Sequence, residues 1–212
     1  MRIGIVDYGI GNLGSLRRAL TLMRFDAQFV TEPAALDSVD RIILPGVGNF
    51  ADCAASLRLA GWDEGLRQAV SENGKPLLGI CVGMQLLASH STEGNDADRS
   101  PHGLGFIPGH VRHLRQEGSA ERAPHVGWNS VEPSPSAGAI FAGIPEGTDF
   151  YFVHSYVFRP DDATHVVAQT RYGAPLPVAV RRGRVFGTQF HPEKSSRAGM
   201  RLLRNFAETP WD

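Results

Sequence analysis

The sequence has few cysteines, no long apolar run and almost no net charge. Its 212 residues include only Cys53 and Cys81, too few for a disulfide framework. Neither a charged-then-apolar leader nor an apolar span of membrane length is found in it. The net charge of -1 gives no electrostatic footprint for nucleic acid or for an anionic membrane. These absences predict a protein of the reducing cytoplasm that has neither nucleic acid nor a membrane as its partner.

The length and the order of patterns predict one α/β domain. A chain of 212 residues buries one large core but is short for two domains, so we expect a single domain over residues 1–212. Short β-rich runs and helical periodicity alternate in the first half, while short strands dominate the second half. This order predicts a central, mostly parallel sheet flanked by helices, with a more antiparallel C-terminal part.

Three local expectations follow from the same patterns. Asn12 is a possible N-cap of the first helix. The run from Asp149 to Phe158 reads as one strand. Met200, Leu203 and Phe206 recur at helical spacing and predict a final helix.

The stretch from Pro76 to Gln85 predicts a sharp turn that exposes a cysteine. A short apolar run ends in Gly79-Ile-Cys81-Val-Gly83 and leads into an apolar-periodic segment, which is typical of strand, tight turn and helix. Small neighbours are needed there because the two backbones pass close to each other. The competing interpretation, a structural cysteine packed in a strand, does not explain the glycines. We therefore predict that Cys81 is a nucleophile, and that the first N–H groups of the helix beginning near Val82 favour its thiolate.

Two glycine-rich loops allow more than one interpretation. Gly9-Ile-Gly11-Asn-Leu-Gly14 follows the first predicted strand and Glu32 follows the second, which matches a dinucleotide-binding fingerprint. That match alone is weak, because a strand-to-helix turn needs glycine without any cofactor. Pro45-Gly46-Val47-Gly48 follows the third strand, and its N–H groups could hold a phosphate or an oxyanion, or form a simple turn. No Gly-Lys-Ser/Thr follows it, which excludes a P-loop.

A histidine and a glutamate near the C-terminus are candidates for a base and its orienting group. In Thr188-Gln-Phe-His191-Pro-Glu193 the proline favours an extended His191, and residues two apart in an extended segment can share one side. A cysteine nucleophile needs a base that later protonates the leaving amine, and the base needs an acceptor that orients it. The other interpretation is a metal pair, but no third ligand stands at a telling spacing. We predict a triad of Cys81, His191 and Glu193 and no metal.

The elbow and the His-Pro-Glu motif together resemble the class I, or triad, glutamine amidotransferases. Within that class, further motifs resemble the glutaminase subunits of imidazole glycerol phosphate synthases, and the resemblance covers nearly the whole chain. Val82, where leucine is common, and Asn49 depart from the family pattern. The further motifs are Asp7-Tyr-Gly-Ile-Gly-Asn12, Pro45-Gly-Val-Gly48, Gly127-Trp128-Asn129, His154-Ser-Tyr156 and His191-Pro-Glu-Lys194.

The resemblance implies hydrolysis of glutamine to glutamate and ammonia without a cofactor. Cys81 would attack the side-chain amide, His191 would move the proton, and Glu193 would orient His191. Backbone N–H of Val82 and the Val47-Gly48 segment would hold the oxyanion. The residues implied to bind the glutamine head group are Gln85 and Glu93 by side chain, and Gly48, His154, Ser155 and Tyr156 largely by backbone.

The resemblance also implies a protein partner. Ammonia would pass through a closed path to a separate (βα)8-barrel cyclase subunit, which makes imidazole glycerol phosphate and an aminoimidazole carboxamide ribonucleotide. Asn12, Trp128 and Lys194 match positions near the contact with that subunit, so the first glycine-rich turn would lie at the partner face. Two alternatives stay open: another triad glutaminase subunit, such as that of pyridoxal phosphate synthase, and a dinucleotide-binding module without enzymatic activity.

Overall fold

The computed structural model describes residues 1–94 and 101–211. Strands and helices alternate in the first part of the chain, and strands dominate afterwards, as the sequence predicts. The strands are β1 (Arg2–Val6), β2 (Asp26–Val30), β3 (Arg41–Gly46), β4 (Leu77–Cys81), β5 (His90–Ser91), β6 (Gly109–His113), β7 (His125–Pro133), β8 (Thr148–His154), β9 (Tyr156–Pro160), β10 (Val166–Tyr172), β11 (Ala174–Arg182) and β12 (Val185–Thr188). The helices are α1 (Leu13–Leu22), α2 (Phe50–Leu59), α3 (Trp62–Arg67, continued by a π-helical turn over Gln68–Glu72), α4 (Val82–Gln85) and α5 (Ser196–Glu208).

A nine-stranded sheet joins the two halves of the chain in the order β2-β1-β3-β4-β12-β11-β10-β7-β8. The pairs from β2 to β12 are parallel. The pairs from β12 to β8 are antiparallel. The predicted fold class is confirmed, and the change from parallel to antiparallel pairing occurs at β12.

Strand β12 brings the C-terminal motif beside the elbow. It pairs with β4 so that Thr188 lies opposite Ile80. Strand β3 pairs with the other side of β4 and sets Gly46 opposite Cys81. Because these three strands are parallel, the loops that follow them meet at one carboxyl edge, where open α/β sheets place their sites.

The helices cover the sheet with apolar faces. In α5, Leu203 and Phe206 are fully buried and Met200 is partly buried, so the predicted final helix is confirmed. Each fully buried side chain of this kind contributes about 1.5–3 kcal/mol to folding. Within residues 1–94 and 101–211, no helix has the length and apolarity that a membrane crossing requires.

The predicted cap at Asn12 is confirmed in its position only. Asn12 occupies the N-cap position of α1, but its side chain makes no capping hydrogen bond, because its backbone (φ -90, ψ 64) is not extended. The extended Asn49 does cap α2, where its Oδ1 accepts from the N–H groups of Ala51 at 2.7 Å and Asp52 at 3.3 Å. Asn12 is therefore free of a capping role at the edge where the site lies.

The predicted strand from Asp149 to Phe158 is interrupted at Ser155. The part before Ser155, β8, pairs with β7 in the large sheet, and the part after it, β9, pairs with β6 in a three-stranded sheet of order β5-β6-β9. The ring Nδ1 of His154 donates to the carbonyl oxygen of Tyr156 at 2.9 Å and so bridges the interruption. This local bond bends the chain at residues that the sequence analysis assigned to substrate binding.

Candidate active site

Cys81 ends β4 in the strained conformation of a nucleophile elbow. Its φ of 56 and ψ of -113 lie in a region that residues other than glycine rarely adopt. A Cβ on Gly83 would lie 1.9 Å from the carbonyl oxygen of Leu44, and a Cβ on Gly79 would lie 2.5 Å from that of Gly83. Side chains do not fit at such distances, so the close backbone passage predicted from these glycines is confirmed.

The helix after Cys81 is shorter than the sequence suggests. Helix α4 ends at Gln85. The N–H groups of Leu87 and Ala88 donate to the carbonyl groups three residues before them, which makes a tighter turn than an α-helix. The apolar periodicity continues through these buried residues because the turn packs into the core, not because the helix goes on. A four-residue helix has only a small macrodipole.

His191 and Glu193 form a buried pair beside Cys81. Nδ1 of His191 lies 2.8 Å from Oε1 of Glu193, with side chains 3% and 4% exposed. Burial lowers the pKa of His191, but the neighbouring Cys81 and Glu193 raise it, so that it stands at about 9. Nε2 of His191 has no hydrogen-bond partner with ordinary geometry among the described residues, so its contact with Cys81 is close but incomplete. The imidazole is thus placed to take and hold the proton of the Cys81 thiol, with the Glu193 carboxylate on its other side.

Ser195, which the sequence analysis missed, fixes the main chain around His191. Its hydroxyl donates to the His191 carbonyl at 2.6 Å and accepts from the Tyr151 N–H at 3.0 Å. The N–H of His191 donates to the Tyr151 carbonyl at 3.0 Å. The place of Ser195 at the end of the His-Pro-Glu-Lys motif is the signal that points to this role.

The predicted catalytic, oxyanion and substrate residues come together in one cavity of about 180 Å³, with one exception. The exception is Glu193, which lies behind His191 and faces a smaller cavity of about 10 Å³ that Asn12 also lines. The lining of the larger cavity comprises Val47, Gly48, Cys81, Val82, Gln85, Glu93, Val153, His154, Ser155, Tyr156 and His191.

Gln85 and Glu93 are already held by protein partners. Nε2 of Gln85 donates to the Tyr156 carbonyl at 3.1 Å and to Oε1 of Gln189 at 3.0 Å, so its own Oε1 is the atom that can accept from a ligand. Oε2 of Glu93 accepts from the Phe50 N–H at 3.0 Å. Burial raises the pKa of Glu93 despite that hydrogen bond. A ligand with an ammonium group would offset the cost of the buried carboxylate.

Two neutral histidines lie side by side, and one of them, His154, lines this cavity. His125, to which the sequence analysis assigned no role, contacts Nε2 of His154 through its Nδ1 at 3.0 Å. Burial lowers the pKa of His125 to about 4 and that of His154 to about 3. The rings of Phe152 and Tyr172 stack against His125 at centroid distances of 4.7 and 3.9 Å, which explains the burial.

Two of the three predicted partner residues share an exposed surface. The Trp128 ring, 52% exposed, lies 6.1 Å from the Tyr151 ring, and Nζ of Lys194 lies 5.8 Å from the same ring. Val126 and Val153, 56% and 38% exposed, face each other across β7 and β8 nearby. Adjacent exposed apolar side chains of this kind mark an interaction surface. We call these five residues the β7–β8 surface; Asn12, the third predicted residue, lies instead at the small cavity next to Glu193.

The first glycine-rich turn has backbone reasons of its own. Gly9 has a φ of 87, and its N–H donates to Oδ1 of Asp7 at 3.1 Å, as in a local side-chain turn. In the part of the chain that the structure describes, no group of three or more His, Cys, Asp or Glu side chains is placed to hold a metal ion.

The family model for glutamine amidotransferase class-I matches residues 5–209. The chain belongs to this family. The class of enzyme predicted from the elbow and the His-Pro-Glu motif is thereby confirmed: the chain is a glutamine-hydrolysing enzyme.

Full-length relatives of this glutamine amidotransferase share one name. An imidazole glycerol phosphate synthase subunit HisH of Moorella thermoacetica is 46% identical over 97% of this chain and 94% of its own. A protein of the same name from a Synechococcus strain is 43% identical over 98% and 94%. A solved structure described as a glutamine amidotransferase matches with a TM-score of 0.74, at 25% identity over 97% of each chain. The glutaminase-subunit resemblance noted in the sequence is therefore confirmed.

Proposed function

We propose that this chain is the glutaminase subunit of an imidazole glycerol phosphate synthase, a single cytoplasmic domain that supplies ammonia to a cyclase. The names of its full-length relatives support this choice within the family. The convergence of Cys81 and His191 on one cavity, with Glu193 behind the histidine, is the observation that supports the chemistry.

The first half-reaction forms a thioester. The Cys81 thiolate attacks the carbon of the glutamine side-chain amide, and the C=O electron pair moves to oxygen. The N–H of Val82 and the Val47-Gly48 segment hold this oxyanion. The C–N bond then breaks as the His191 imidazolium gives its proton to the nitrogen, so ammonia leaves and the acyl group stays on sulfur.

The second half-reaction hydrolyses the thioester. Neutral His191 takes a proton from water, the water oxygen attacks the thioester carbon, and glutamate leaves as the thiolate and imidazolium re-form. The Glu193 carboxylate stabilises the imidazolium, which agrees with the pKa of about 9 for His191. No cofactor takes part in either step.

The substrate is glutamine, held at its two ends. Its side-chain amide faces Cys81, while its ammonium group meets the carboxylate of Glu93 and Oε1 of Gln85, whose NH₂ is already committed. The backbone of Gly48 and of the bend from His154 to Tyr156 completes the head-group site. Glu93 and the bend line the same cavity as the nucleophile, which supports this pose.

The partner is a (βα)8-barrel cyclase subunit that uses the ammonia to make imidazole glycerol phosphate and an aminoimidazole carboxamide ribonucleotide. The apolar β7–β8 surface, with its Lys194 cation, supports docking at the carboxyl edge of the sheet. Asn12 lies at the same edge, at the small cavity next to Glu193. This arrangement keeps the path from the thioester to the partner short.

The experiment is to measure glutamate release by the chain alone, with the cyclase subunit of the same organism, and with that subunit and its nucleotide substrate. Glutamate and imidazole glycerol phosphate are expected in equal amounts in the complete mixture. Stimulation by a pyridoxal phosphate synthase partner instead would favour that glutaminase. Binding of NAD in a titration, with no glutamine hydrolysis in any mixture, would favour the dinucleotide-binding module.

A further inference from the structure

Gln189 is a fully buried amide beside the reactive sulfur, and it has no role in the two half-reactions. Its Nε2 lies 3.9 Å from Sγ of Cys81 in donor geometry. Its backbone N–H donates to the carbonyl of Val178 at 2.8 Å, which fixes the main chain where β12 ends. A buried amide N–H costs free energy unless it donates a hydrogen bond. For this N–H of Gln189 the neighbouring acceptor is the sulfur.

Only the NH₂ end of Gln189 can face the sulfur. Its Oε1 lies 3.0 Å from Nε2 of Gln85, and Gln85 also donates to the carbonyl oxygen of Tyr156 at 3.1 Å. A carbonyl oxygen only accepts, so the group of Gln85 at this point is its NH₂. The group of Gln189 that meets this NH₂ must therefore be the oxygen, since two NH₂ groups cannot bond each other.

Two histidines support the same Tyr156 carbonyl from the other side. Nδ1 of His154 donates to it at 2.9 Å, so the proton of this neutral ring is on Nδ1. Nε2 of His154 must then accept from Nδ1 of His125 at 3.0 Å. Nε2 of His125 accepts in turn from Nδ2 of Asn129 at 3.3 Å, whose other N–H donates to the Arg171 carbonyl at 3.1 Å.

The hydrogen bonds from Asn129 to Gln189 thus have one possible arrangement, in which His154 and Gln85 both donate to the Tyr156 carbonyl. It is fixed by backbone carbonyls at Arg171 and Tyr156, which accept in either case. Asn129 follows Trp128 in β7, so this series of hydrogen bonds begins beside the β7–β8 surface and ends at the nucleophile. His125 and His154 hold the Tyr156 carbonyl from the other side and so steady the acceptor that orients Gln85.

Besides His191, the sulfur of Cys81 contacts the Val153 carbonyl and the Gln189 amide, which have opposite preferences. The carbonyl of Val153, at 3.8 Å, can hold only the thiol, because it needs the S–H proton. The N–H of Gln189 is a donor and interacts more strongly with the thiolate. Among the described residues, the titratable groups that interact with the sulfur are His191 and Tyr8.

We propose that Gln189 is a catalytic residue whose side-chain N–H stabilises the Cys81 thiolate. When the S–H bond breaks, the proton moves to Nε2 of His191 and the electron pair stays on sulfur. The side-chain N–H of Gln189 then donates a hydrogen bond to this thiolate. Gln85, His154 and His125 act as positioning residues for that amide. The proposal rests on the proposed function, because it takes Cys81 as the nucleophile.

The test measures the alkylation rate of Cys81 by iodoacetamide against pH in the full chain, with peptide masses that count Cys53 separately. In Gln189→Met the midpoint of this profile should move upward by about one pH unit, the loss of one hydrogen bond to a charged group. In Gln189→Glu it should move further, because a carboxylate repels the thiolate. A merely structural role predicts the reverse order, since glutamate is closer in shape to glutamine.

Asn205→Leu is the matched control. The buried Asn205 amide in α5 also makes two bonds, to the carbonyls of Ile140 at 3.0 Å and Ala142 at 2.8 Å, but it touches no residue of the site. This variant should melt at a lower temperature with an unchanged alkylation midpoint. In steady-state assays with the cyclase, Gln189→Met should lower kcat about tenfold and leave KM within about twofold of the parent.

His125→Phe is the second variant, for the case that the Gln189 variants do not fold. It keeps the aromatic stack with Phe152 and Tyr172 but removes the donor to His154, and a smaller upward shift of the midpoint is expected. An unchanged midpoint in the folded variants would overturn the proposal while glutamine hydrolysis by the parent still stands. Loss of the proposed function itself would look different: the parent would then hydrolyse no glutamine.

Discussion

Nδ1 of His191 lies 2.8 Å from Oε1 of Glu193, although Pro192 alone separates the two residues in the chain. His191 is extended (φ -96, ψ 97), and a short 3-10 turn begins at Pro192, so both side chains point to the same buried side. This half of the triad is built by local sequence alone. The other half depends on the sheet, since Cys81 reaches the pair only because β12 lies next to β4.

We expect Cys81→Ala to abolish glutamine hydrolysis and to leave the fold and the complex with the cyclase intact. The alanine removes the nucleophile but fits the space of the thiol, and it keeps the backbone of the elbow. The complex of this variant should still make imidazole glycerol phosphate from added ammonium salt. Glutamate release above about a thousandth of the parent rate would contradict the assignment.

Glu193→Gln should lower turnover less than His191→Ala does. A glutamine at this position still accepts from Nδ1 of His191 through its carbonyl oxygen, but it stabilises the imidazolium poorly. The pKa of His191, about 9 in the parent, should therefore fall in this variant, which NMR titration of the imidazole can measure. Equal and negligible losses of turnover in both variants would point to another base.

The sequence was sufficient for the parts of the site that depend on local rules. The glycines around Cys81 predicted the elbow because only a close backbone passage needs them, and the proline predicted the orientation of His191. It was not sufficient where tertiary packing decides. The apolar residues after Gln85 have the pattern of a helix, but they are apolar because the turn that follows is itself buried. The run Asp149–Phe158 has the pattern of one strand, because the bend at Ser155 depends on a contact of the His154 ring that the pattern does not contain.

The residues that the sequence missed act through contacts between distant segments. Gln189 stands two residues before His191, but its contact with Gln85 crosses from β12 to α4 and is set by sheet order. In the sequence pattern His125 is an ordinary strand residue. Only the register of β7 and β8 shows that it lies opposite His154. Pairing of this kind cannot be obtained from one sequence by periodicity or spacing.

The paired neutral histidines should make the fold sensitive to mild acid. Their pKa values, about 4 for His125 and about 3 for His154, lie below the value of about 6.5 for an unfolded histidine. At these two positions the unfolded chain therefore binds more protons below pH 6.5, and their contribution to stability falls with the pH, by up to about 1.4 kcal/mol per pH unit for each ring. Urea unfolding of the parent at pH 7.5 and 5.5 measures this loss.

In His125→Phe the stability lost between these two pH values should be smaller than in the parent by about 1.4 kcal/mol, because one of the two rings is gone and His191 contributes equally in both proteins. Phe152→Leu is the control: it removes a ring that packs on His125 but keeps both histidines. It should be less stable at both pH values with nearly the parent's pH dependence. The same acid loss in His125→Phe as in the parent would refute the account.

Gly83→Ala should destabilise the chain strongly, by about 3 kcal/mol or more, because its Cβ would lie 1.9 Å from the Leu44 carbonyl. Gly14 in α1 is the matched control, since it is exposed and a Cβ there meets nothing within 4 Å. Gly14→Ala should be neutral or stabilising by up to about 1 kcal/mol. Chemical denaturation of both variants measures the difference, and similar stability for the two would contradict the tight elbow.

The oxyanion segment is held at its two ends. The hydroxyl of Tyr8 donates to the Pro45 carbonyl at 3.0 Å, and the thiol of Cys53 donates to the Val47 carbonyl at 3.4 Å. Burial raises the pKa of both groups, so both stay protonated donors. Gly48 has a φ of 89 and open space around it. Because the Val47 carbonyl and the Gly48 N–H belong to one planar peptide, a rotation that redirects this N–H breaks the Cys53 bond, and Gly48 permits it without displacement of β3.

The isolated chain should accordingly be a poor glutaminase that the cyclase and its bound nucleotide activate through Val47-Gly48. One misdirected oxyanion donor costs about 3–4 kcal/mol, so activation by roughly a hundredfold to a thousandfold is expected in glutamate release. The signal has to cross the interface near Asn12, Trp128 and Lys194. Lys194→Ala should therefore reduce the stimulation by the loaded cyclase more than it reduces the basal rate, because Nζ lies over the Tyr151 ring and touches no reacting atom. Full activity of the lone chain would refute the gating while leaving the Cys81 mechanism in place.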